Sequence, residues 1–196
     1  MAGWKDKRRI MQRYDLTAEM YDERYSEEQM RKYKKALENV SVEGKAVLDV
    51  GCGSGLFFKE VATQADIVAS IDISRKLLLK AKEQAKSLDN VFVLQADADH
   101  LPFRDGFFGA VFAFTVLQNM PKPPKTLNEL KRVVKGDGRV VVTGLKKSFP
   151  LTAFMDVLDG SGLKLVSFVD DEAVNCYVAV LATKHVLKKL TIGNGI

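Results

Sequence analysis

A short apolar run followed by closely spaced glycines, VLDVGCGSG at 47–55, is the feature that most restricts the fold of this chain. The apolar run predicts a buried β-strand. Gly51 and Gly53 permit backbone angles that other residues rarely adopt, and Gly55 lets the next helix approach the sheet. A strand, a glycine turn and a helix in this order are typical of open α/β sheets, which bind ligands beyond the carboxyl ends of their strands. We therefore expect amide groups of the turn and of the next helix to face a carboxylate or phosphate.

The rest of the chain alternates between strand and helix patterns. A helix is expected at about 56–63 after the glycine turn. Ser74 is the predicted N-cap of a helix over 74–87, and Pro123 begins another helix pattern with a glycine past its end. The segment DDEAVNC between the last two strand patterns is too short for a crossover helix and predicts an antiparallel pair. The predicted fold is an α/β, Rossmann-like, open and mostly parallel seven-stranded sheet with helices on both faces and a C-terminal antiparallel hairpin. The seven strand patterns lie at 45–50, 66–72, 91–97, 109–114, 139–144, 163–169 and 177–183.

Length and composition predict one domain with an extension. The 196 residues are 46% hydrophobic and 28% charged, which is ordinary for a globular protein with a sizeable core. We expect an N-terminal helical extension or lid at 1–44, the main domain at 45–184 and a basic tail at 185–196. Two cysteines and no histidine-rich cluster favour a reducing cytosol and no metal site. No apolar run approaches the ~20 residues that span a bilayer, so we expect a cytoplasmic protein.

The positive net charge favours a polyanionic partner. The net charge is +5, and basic residues cluster in KDKRR near the start, in RKYKK and in KHVLKK near the end. Clustered positive charge attracts nucleic acid more effectively than a modest surplus spread over the surface.

The glycine spacing excludes two common phosphate-binding motifs. Dinucleotide sites need G-x-G-x-x-G, whereas this chain has G-x-G-x-G with Asp49 two positions before the first glycine. The ATP P-loop requires a Gly-Lys-Ser/Thr sequence, which does not follow here.

Four sequence motifs, which occur in the expected order along the chain, resemble those of a known protein family. VLDVGCGSG resembles motif I of the class I S-adenosylmethionine-dependent methyltransferases, and the later motifs of that family are similar to SIDIS, LQADADHLPFRDGFFGAVFAF and LKRVVKGDGRVVVTG. The resemblance covers about 45–145. It is strongest to the methyltransferase-11 group, which includes ubiquinone and menaquinone biosynthesis enzymes.

The resemblance implies S-adenosylmethionine as cofactor and S-adenosylhomocysteine as product. An acceptor-only carboxylate at a strand end suits the ribose hydroxyls, and Asp72 occupies that position, followed by Ile73. Asp97, followed by Ala98, corresponds to the acceptor of the adenine amino group. The remaining predicted cofactor residues are those of the glycine loop, one residue after the fourth strand and one in the lid-like N-terminal segment: Asp49, Gly51, Cys52, Gly53, Gly55, Thr115 and Tyr21.

No catalytic side chain is strictly required, because positioning alone accelerates methyl transfer from an activated donor. Gln118 and Asn119, after the fourth strand, are candidates for contact with the methyl acceptor, and His100 is a candidate general base. The sequence TVLQNMPKPP departs from the Asx-Pro-Pro-aromatic signature of adenine and glutamine N-methylation. Neither cysteine lies where pyrimidine carbon methylation would need a nucleophile.

Three functions follow as alternatives. The first is methylation of RNA or of a translation-related protein, which the basic segments favour. The second is methylation of a small molecule with the N-terminal helices as a lid, and some methyltransferases of this size borrow recognition from a small activator subunit. The third is a protein that binds S-adenosylmethionine without turnover. No membrane partner is expected.

Overall fold

The computed structural model of the protein describes residues 2–183, so the predicted basic tail at 185–196 lies outside the described residues. The helices are α1 Ala2–Thr17, α2 Tyr21–Leu37, α3 Phe58–Val61, α4 Arg75–Ala85, α5 Pro123–Val133 and α6 Leu151–Asp159. The strands are β1 Ala46–Val50, β2 Ile67–Asp72, β3 Val91–Gln95, β4 Phe108–Ala113, β5 Val134–Leu145, β6 Lys164–Val169 and β7 Cys176–Ala182.

The strands form one seven-stranded sheet in the order β3–β2–β1–β4–β5–β7–β6. Neighbours among the first five are parallel. The strand β7 lies between β5 and β6 and is antiparallel to both. The predicted mostly parallel α/β sheet with a C-terminal antiparallel hairpin is confirmed.

The central strands are buried on both faces because helices cover the sheet from each side. All of β4 is buried, as is β1 apart from its first residue. One core cluster joins the sheet to α5 and α6, and the other joins it to α2, α3 and α4. Continuous apolar strands such as AVLDV and FGAVFA are what a sheet covered on both faces requires.

Predicted helix starts agree with the structure. The Ser74 hydroxyl caps α4 by accepting a hydrogen bond from the Leu77 amide at 3.2 Å. The same hydroxyl donates to Asp15 Oδ1 at 2.6 Å, and this carboxylate also accepts from the Lys76 amide. The helix α5 begins at Pro123, as predicted. These contacts fix α1 against the start of α4.

Two elements differ from the sequence prediction. The helix expected at 56–63 is only α3, because the chain makes successive turns through the glycine loop before Phe58. The helix that begins at Pro123 was expected to run up to the glycines of KGDG, but it ends at Val133, and β5 begins at once with Val134 paired to Phe108. Pairing with β4 then shifts register before it resumes at Arg139.

The N-terminal helices occupy different sides of the molecule. The helix α1 lies across the carboxyl ends of the strands, with the Lys7 ammonium bonded to the Asp97 carboxylate. The helix α2 packs against β7, and Glu28 accepts hydrogen bonds from the backbone and side chain of Asn175 at 3.1 Å. Within residues 2–183, no helix combines the length and the apolar composition needed to cross a membrane.

Candidate functional site

A cavity lies at the carboxyl ends of β1, β2, β3 and β4. Four of its walls were predicted as cofactor positions: the glycine loop, the end of β2, the end of β3 and the segment after β4. The helix α1 supplies a further wall. The predicted residues that line the cavity are Gly51, Gly53, Asp72, Ile73, Asp97, Ala98, Thr115 and Asn119.

The glycine loop is held close to the sheet. The amides of Gly51 and Cys52 both donate to the Ile71 carbonyl, at 2.8 and 2.9 Å. Gly51 has φ +74°, and a Cβ on it would lie 2.6 Å from Val116 Cγ2. A side chain at Gly51 would therefore both strain the backbone and collide with the segment after β4.

Asp72 joins this loop to the end of β2. Its carboxylate accepts hydrogen bonds from the Gly53 amide at 2.9 Å and from the Ser74 amide at 2.8 Å. Burial raises the pKa of Asp72, although these backbone donors oppose the shift. Because each carboxylate oxygen has more than one lone pair, Asp72 retains acceptor capacity towards the cavity.

Asp49 lies in β1, two residues before the first glycine of the loop, and is only 2% exposed. Its Oδ2 has no hydrogen-bond partner among residues 2–183. Burial, and secondarily the nearby Asp72 carboxylate, raises the pKa of Asp49 to about 8. A buried carboxyl oxygen without a partner is costly, so a cationic ligand group close to Asp49 would be stabilised there.

Asp97, at the end of β3, is paired with a lysine of α1. Lys7 is 7% exposed, and its Nζ lies 2.6 and 2.8 Å from the two Asp97 oxygens and 2.5 Å from Asp99 Oδ2. The other Asp99 oxygen accepts from the Thr126 hydroxyl at 2.5 Å. Burial would raise the pKa of Asp97, but the hydrogen bond and charge of Lys7 outweigh it and lower that pKa.

The opposite end of the cavity is built around Asn119, in the short 3₁₀ turn after β4. Its side-chain amide donates to the Tyr14 hydroxyl at 3.1 Å and to the Thr115 carbonyl at 3.0 Å. Its Oδ1 accepts from the Arg13 guanidinium at 3.0 Å. Thr115 has φ +56°, and its amide donates to the Thr143 hydroxyl at 2.7 Å, which stabilises this unusual backbone conformation.

Several predicted residues do not line the cavity, and Asp49, buried in β1, is one of them. Cys52 and Gly55 are buried within the loop, and Gln118 has a buried Oε1 with no partner among the described residues. His100 is exposed, with Nε2 2.8 Å from Lys125 Nζ. The side chain of Tyr21 lies outside what the structure describes.

Sequence analysis expected a lid from the N-terminal segment but did not place Lys7 and Ile10 of α1 at the cavity. Lys7, Ile10 and Tyr14 line the cavity from the same face of this helix. Lys7 belongs to the KDKRR cluster, which the charge pattern assigned to a basic surface, whereas the structure buries it. The spacing of Lys7, Ile10 and Tyr14 was the available signal, since residues three and four apart share one helix face.

Comparison with known proteins identifies the family. Residues 48–142 match the model of a methyltransferase domain family. These residues of the chain are a methyltransferase domain, in agreement with the resemblance to class I S-adenosylmethionine-dependent methyltransferases. Over 101 residues it is 36% identical to a demethylmenaquinone methyltransferase of Clavibacter sepedonicus, covering 52% of this chain and 41% of that relative. The chain spans between 28% and 46% of the length of the curated relatives it matches.

Solved structures share the methyltransferase fold over more of the chain. An S-adenosylmethionine-dependent methyltransferase from Aquifex aeolicus superposes with a TM-score of 0.74 at 23% identity, covering 85% of this chain and 97% of that one. A chain from the complex between the Haloferax volcanii Trm112 methyltransferase activator and a putative methyltransferase also has a TM-score of 0.74, at 17% identity, covering 88% and 98%.

The family and the fold imply S-adenosylmethionine as cofactor and S-adenosylhomocysteine as product, and the site fits both. The unpartnered oxygen of buried Asp49 suits the ammonium of their amino-acid end. Gly51 and Gly53 line the cavity without side chains, so a ligand can approach the backbone of the loop. Acceptor oxygens of Asp72 and Asp97 line the same cavity.

Proposed function

We propose that this chain transfers a methyl group from S-adenosylmethionine to a small organic acceptor bound beneath α1. The observation that carries the proposal is the position of α1, which contacts both ends of the cavity. Lys7 is bonded to Asp97 at one end and Tyr14 to Asn119 at the other. Seven residues of α-helix span about 10 Å, so α1 covers the length of the cavity and acts as its lid.

Each acidic residue then has a role at one part of the cofactor. When bound, S-adenosylmethionine supplies a methyl group activated by a sulfonium sulfur. The glycine loop and Asp49 would hold its amino-acid end, since a carboxylate attracts the ammonium group. Asp72 would accept from the ribose hydroxyls, and Asp97 from the adenine amino group.

At the acceptor end of the cavity, the protein contributes by positioning the methyl acceptor. Asn119 is fixed by Tyr14, Thr115 and Arg13, so its side chain is pre-organised at the cavity wall. Holding two reactants in line contributes on the order of 7–11 kcal/mol to such reactions. In this proposal Asn119 orients the acceptor, whereas Gln118 and His100 do not line the cavity.

The walls near Asn119 favour a compact and partly apolar acceptor. Ile10, Tyr14, Val116 and Met120 line this part of the cavity. Apolar walls with a few fixed polar groups are typical of small-molecule sites. The relative from Clavibacter sepedonicus, by its name, acts on demethylmenaquinone, which is a small acceptor.

Methylation of RNA or of a translation-related protein is the second candidate. The outer side of α1 exposes Lys5, Arg8 and Arg9 close to the cavity, which gives a polyanion a basic surface. This surface is the observation that favours the second candidate.

The proposal is tested by incubating the full chain with methyl-labelled S-adenosylmethionine and three acceptor pools: small-molecule extract, total RNA and ribosomal protein. We expect label in the small-molecule pool, and loss of that labelling in Asn119→Ala. Label confined to RNA or protein would replace the acceptor assignment with the second candidate. Cofactor binding with no transfer to any pool would favour a non-catalytic binding protein.

We also propose that an activator subunit assists this chain. One structural neighbour was solved in complex with the Trm112 methyltransferase activator. Stimulation of the label transfer by an added activator protein tests this part of the proposal.

A further inference from the structure

A lysine and two carboxylates meet at one end of the cavity. Lys7 Nζ lies 2.6 and 2.8 Å from the two Asp97 oxygens and 2.5 Å from Asp99 Oδ2, so all three of its N–H groups are used. Lys7 lines the cavity, yet it has no N–H group left for a ligand. Any effect of Lys7 on a bound cofactor therefore passes through Asp97.

The two oxygens of Asp97 have different partners. Oδ1 accepts from Lys7 and from the Asp99 amide at 3.0 Å. Among residues 2–183, only Lys7 donates to Oδ2. Oδ2 therefore retains more acceptor capacity than Oδ1. Because Asp97 lines the cavity, these bonds fix the carboxylate and leave one oxygen available to a donor inside it.

Asp99 holds Lys7 in this position. Asp99 is 5% exposed, and its two oxygens accept from Lys7 and from the Thr126 hydroxyl of α5, each at 2.5 Å. The network thus joins α1, the segment after β3 and α5. A carboxylate held from several elements is oriented before a ligand arrives.

The charges around Asp97 keep its carboxylate ionised. Burial alone would raise the pKa of Asp97, but the hydrogen bond and charge of Lys7, the Asp99 amide and the nearby His100 together lower that pKa. The charged or titratable groups on the elements around Asp97 are Lys7, Asp72, Asp99, His100 and Lys125.

An ionised carboxylate distinguishes between purine bases. It only accepts hydrogen bonds, so it pairs with the amino group of adenine and not with the carbonyl at the same position of hypoxanthine. Without Lys7, repulsion between Asp97 and Asp99 would raise the pKa of one of them. A protonated carboxyl group can donate to a carbonyl. Selectivity between the two bases at this site therefore requires an ionised Asp97.

We propose that Lys7 is a positioning residue that makes the cavity selective for adenine, because it holds Asp97 as an oriented carboxylate that only accepts hydrogen bonds. The inference rests on the proposed function, in which Asp97 accepts from the adenine amino group. It gives α1 a role beyond covering the cavity, since base selectivity then requires a residue of the lid.

Calorimetric titration of the full chain with S-adenosylhomocysteine and with S-inosylhomocysteine, in which hypoxanthine replaces adenine, tests this role. The two ligands differ only in the base, so the ratio of their affinities removes the contributions of Asp49 and of lid closure. We expect the unchanged protein to prefer adenine at least about thirtyfold between about pH 6 and about pH 8, because a carboxylate that faces a carbonyl loses its hydrogen bond.

Substitution of Lys7 should make this preference depend on pH. Lys7→Met should reduce it below about fivefold at about pH 6, with recovery towards about pH 8 as the carboxyl pair loses its proton. Lys7→Gln, which keeps a donor without charge, should behave alike and replaces Lys7→Met if that variant does not fold. Lys7→Arg keeps the charge and should retain most of the preference.

Two controls accompany these variants. Lys5→Met is the same change on the exposed side of α1 and should keep the full preference. Histidine side chains change charge in the same pH range, so each protein is also measured with His100→Gln, which should leave the pH dependence of the Lys7 variants in place.

An unchanged ratio in a folded Lys7→Met or Lys7→Gln variant would overturn the role, even if both ligands bind more weakly, because Lys7 would then only stabilise α1. Loss of the preference in Lys5→Met would overturn it as well. Binding of neither ligand to the unchanged protein would refute the proposed function.

Carbon-13 NMR titration of the free chain separates these two failures. The Asp97 carboxyl should titrate below its ordinary pKa of about 3.9 in the unchanged protein and above it in Lys7→Gln. The same titration in both proteins would overturn the positioning role, whether or not the cofactor binds.

Discussion

At the scale of single residues, Asp49 connects the stability of the free protein to the cofactor. It is buried, one oxygen has no partner, and Asp72 lies close enough to disfavour a second negative charge. The carboxyl is therefore protonated near neutral pH in the free protein, and a bound ammonium group would favour its ionisation.

This arrangement predicts a pH dependence of stability. The pKa of Asp49 is about 8 in the folded chain, against about 3.9 when unfolded. Between these values the folded state binds more protons than the unfolded state, so the free energy of unfolding falls as pH rises from about 4 to about 8. Asp49→Asn should remove this slope and unfold at higher urea concentration than the unchanged protein at pH 7.5. Parallel pH profiles for the two proteins would contradict the assignment.

Lys7 binds the carboxylates of Asp97 and Asp99, which would otherwise repel each other. All three of its donors are directed to Asp97 and Asp99 in a nearly buried site. Lys7→Met should lower the free energy of unfolding by about 3–5 kcal/mol, because removing one partner of a buried ion pair leaves uncompensated charge. Lys5→Met, on the exposed side of α1, is the control and should change stability by less than about 0.5 kcal/mol. Chemical denaturation measures both, and equal effects would contradict the buried network.

At the scale of elements, the glycine loop determines how β1 leads into α3. Gly55 has φ +89°, and a Cβ on it would lie 2.5 Å from the Phe58 ring. Gly106 has a similar backbone, φ +61°, with open space around the Cβ position. The two glycines therefore separate backbone strain from steric contact.

Alanine substitutions at Gly55 and Gly106 test this difference in steric contact. Gly106→Ala should cost about 1–2 kcal/mol, the penalty of the left-handed conformation alone. Gly55→Ala should cost clearly more, because the added methyl group also collides with a buried ring. Thermal unfolding of the two variants checks the order, and similar melting temperatures would show that Phe58 moves aside freely.

Most elements could be predicted from the sequence because local chemistry determines them. Apolar runs identified all seven strands, and Ser74 and Pro123 marked helix starts. The order of the strands could not be predicted, since β7 reaches its place between β5 and β6 through long-range pairing. The shortness of α3 was also not predicted, because hydrophobic spacing does not show where turns of the glycine loop end.

At the scale of the whole molecule, the cavity is formed by strand ends and by a helix from the start of the chain. Asp72 and Asp97 could be placed together from sequence, because the carboxyl ends of parallel strands meet at one edge of the sheet. The contribution of Lys7 could not, since it joins residues 90 positions apart in the chain. An amphipathic pattern predicts that α1 has a buried face but does not indicate what that face covers.

The central claim is that the cavity binds S-adenosylmethionine through Asp72. Calorimetric titration of the full chain with S-adenosylmethionine, comparing the unchanged protein with Asp72→Ala and with the exposed-site control Asp89→Ala, tests it most directly. We predict one cofactor per chain, binding weakened at least about tenfold in Asp72→Ala and unchanged binding in Asp89→Ala, with folding of each variant checked by thermal unfolding. Absence of binding to the unchanged protein, or equal affinity in a folded Asp72→Ala variant, would contradict the claim.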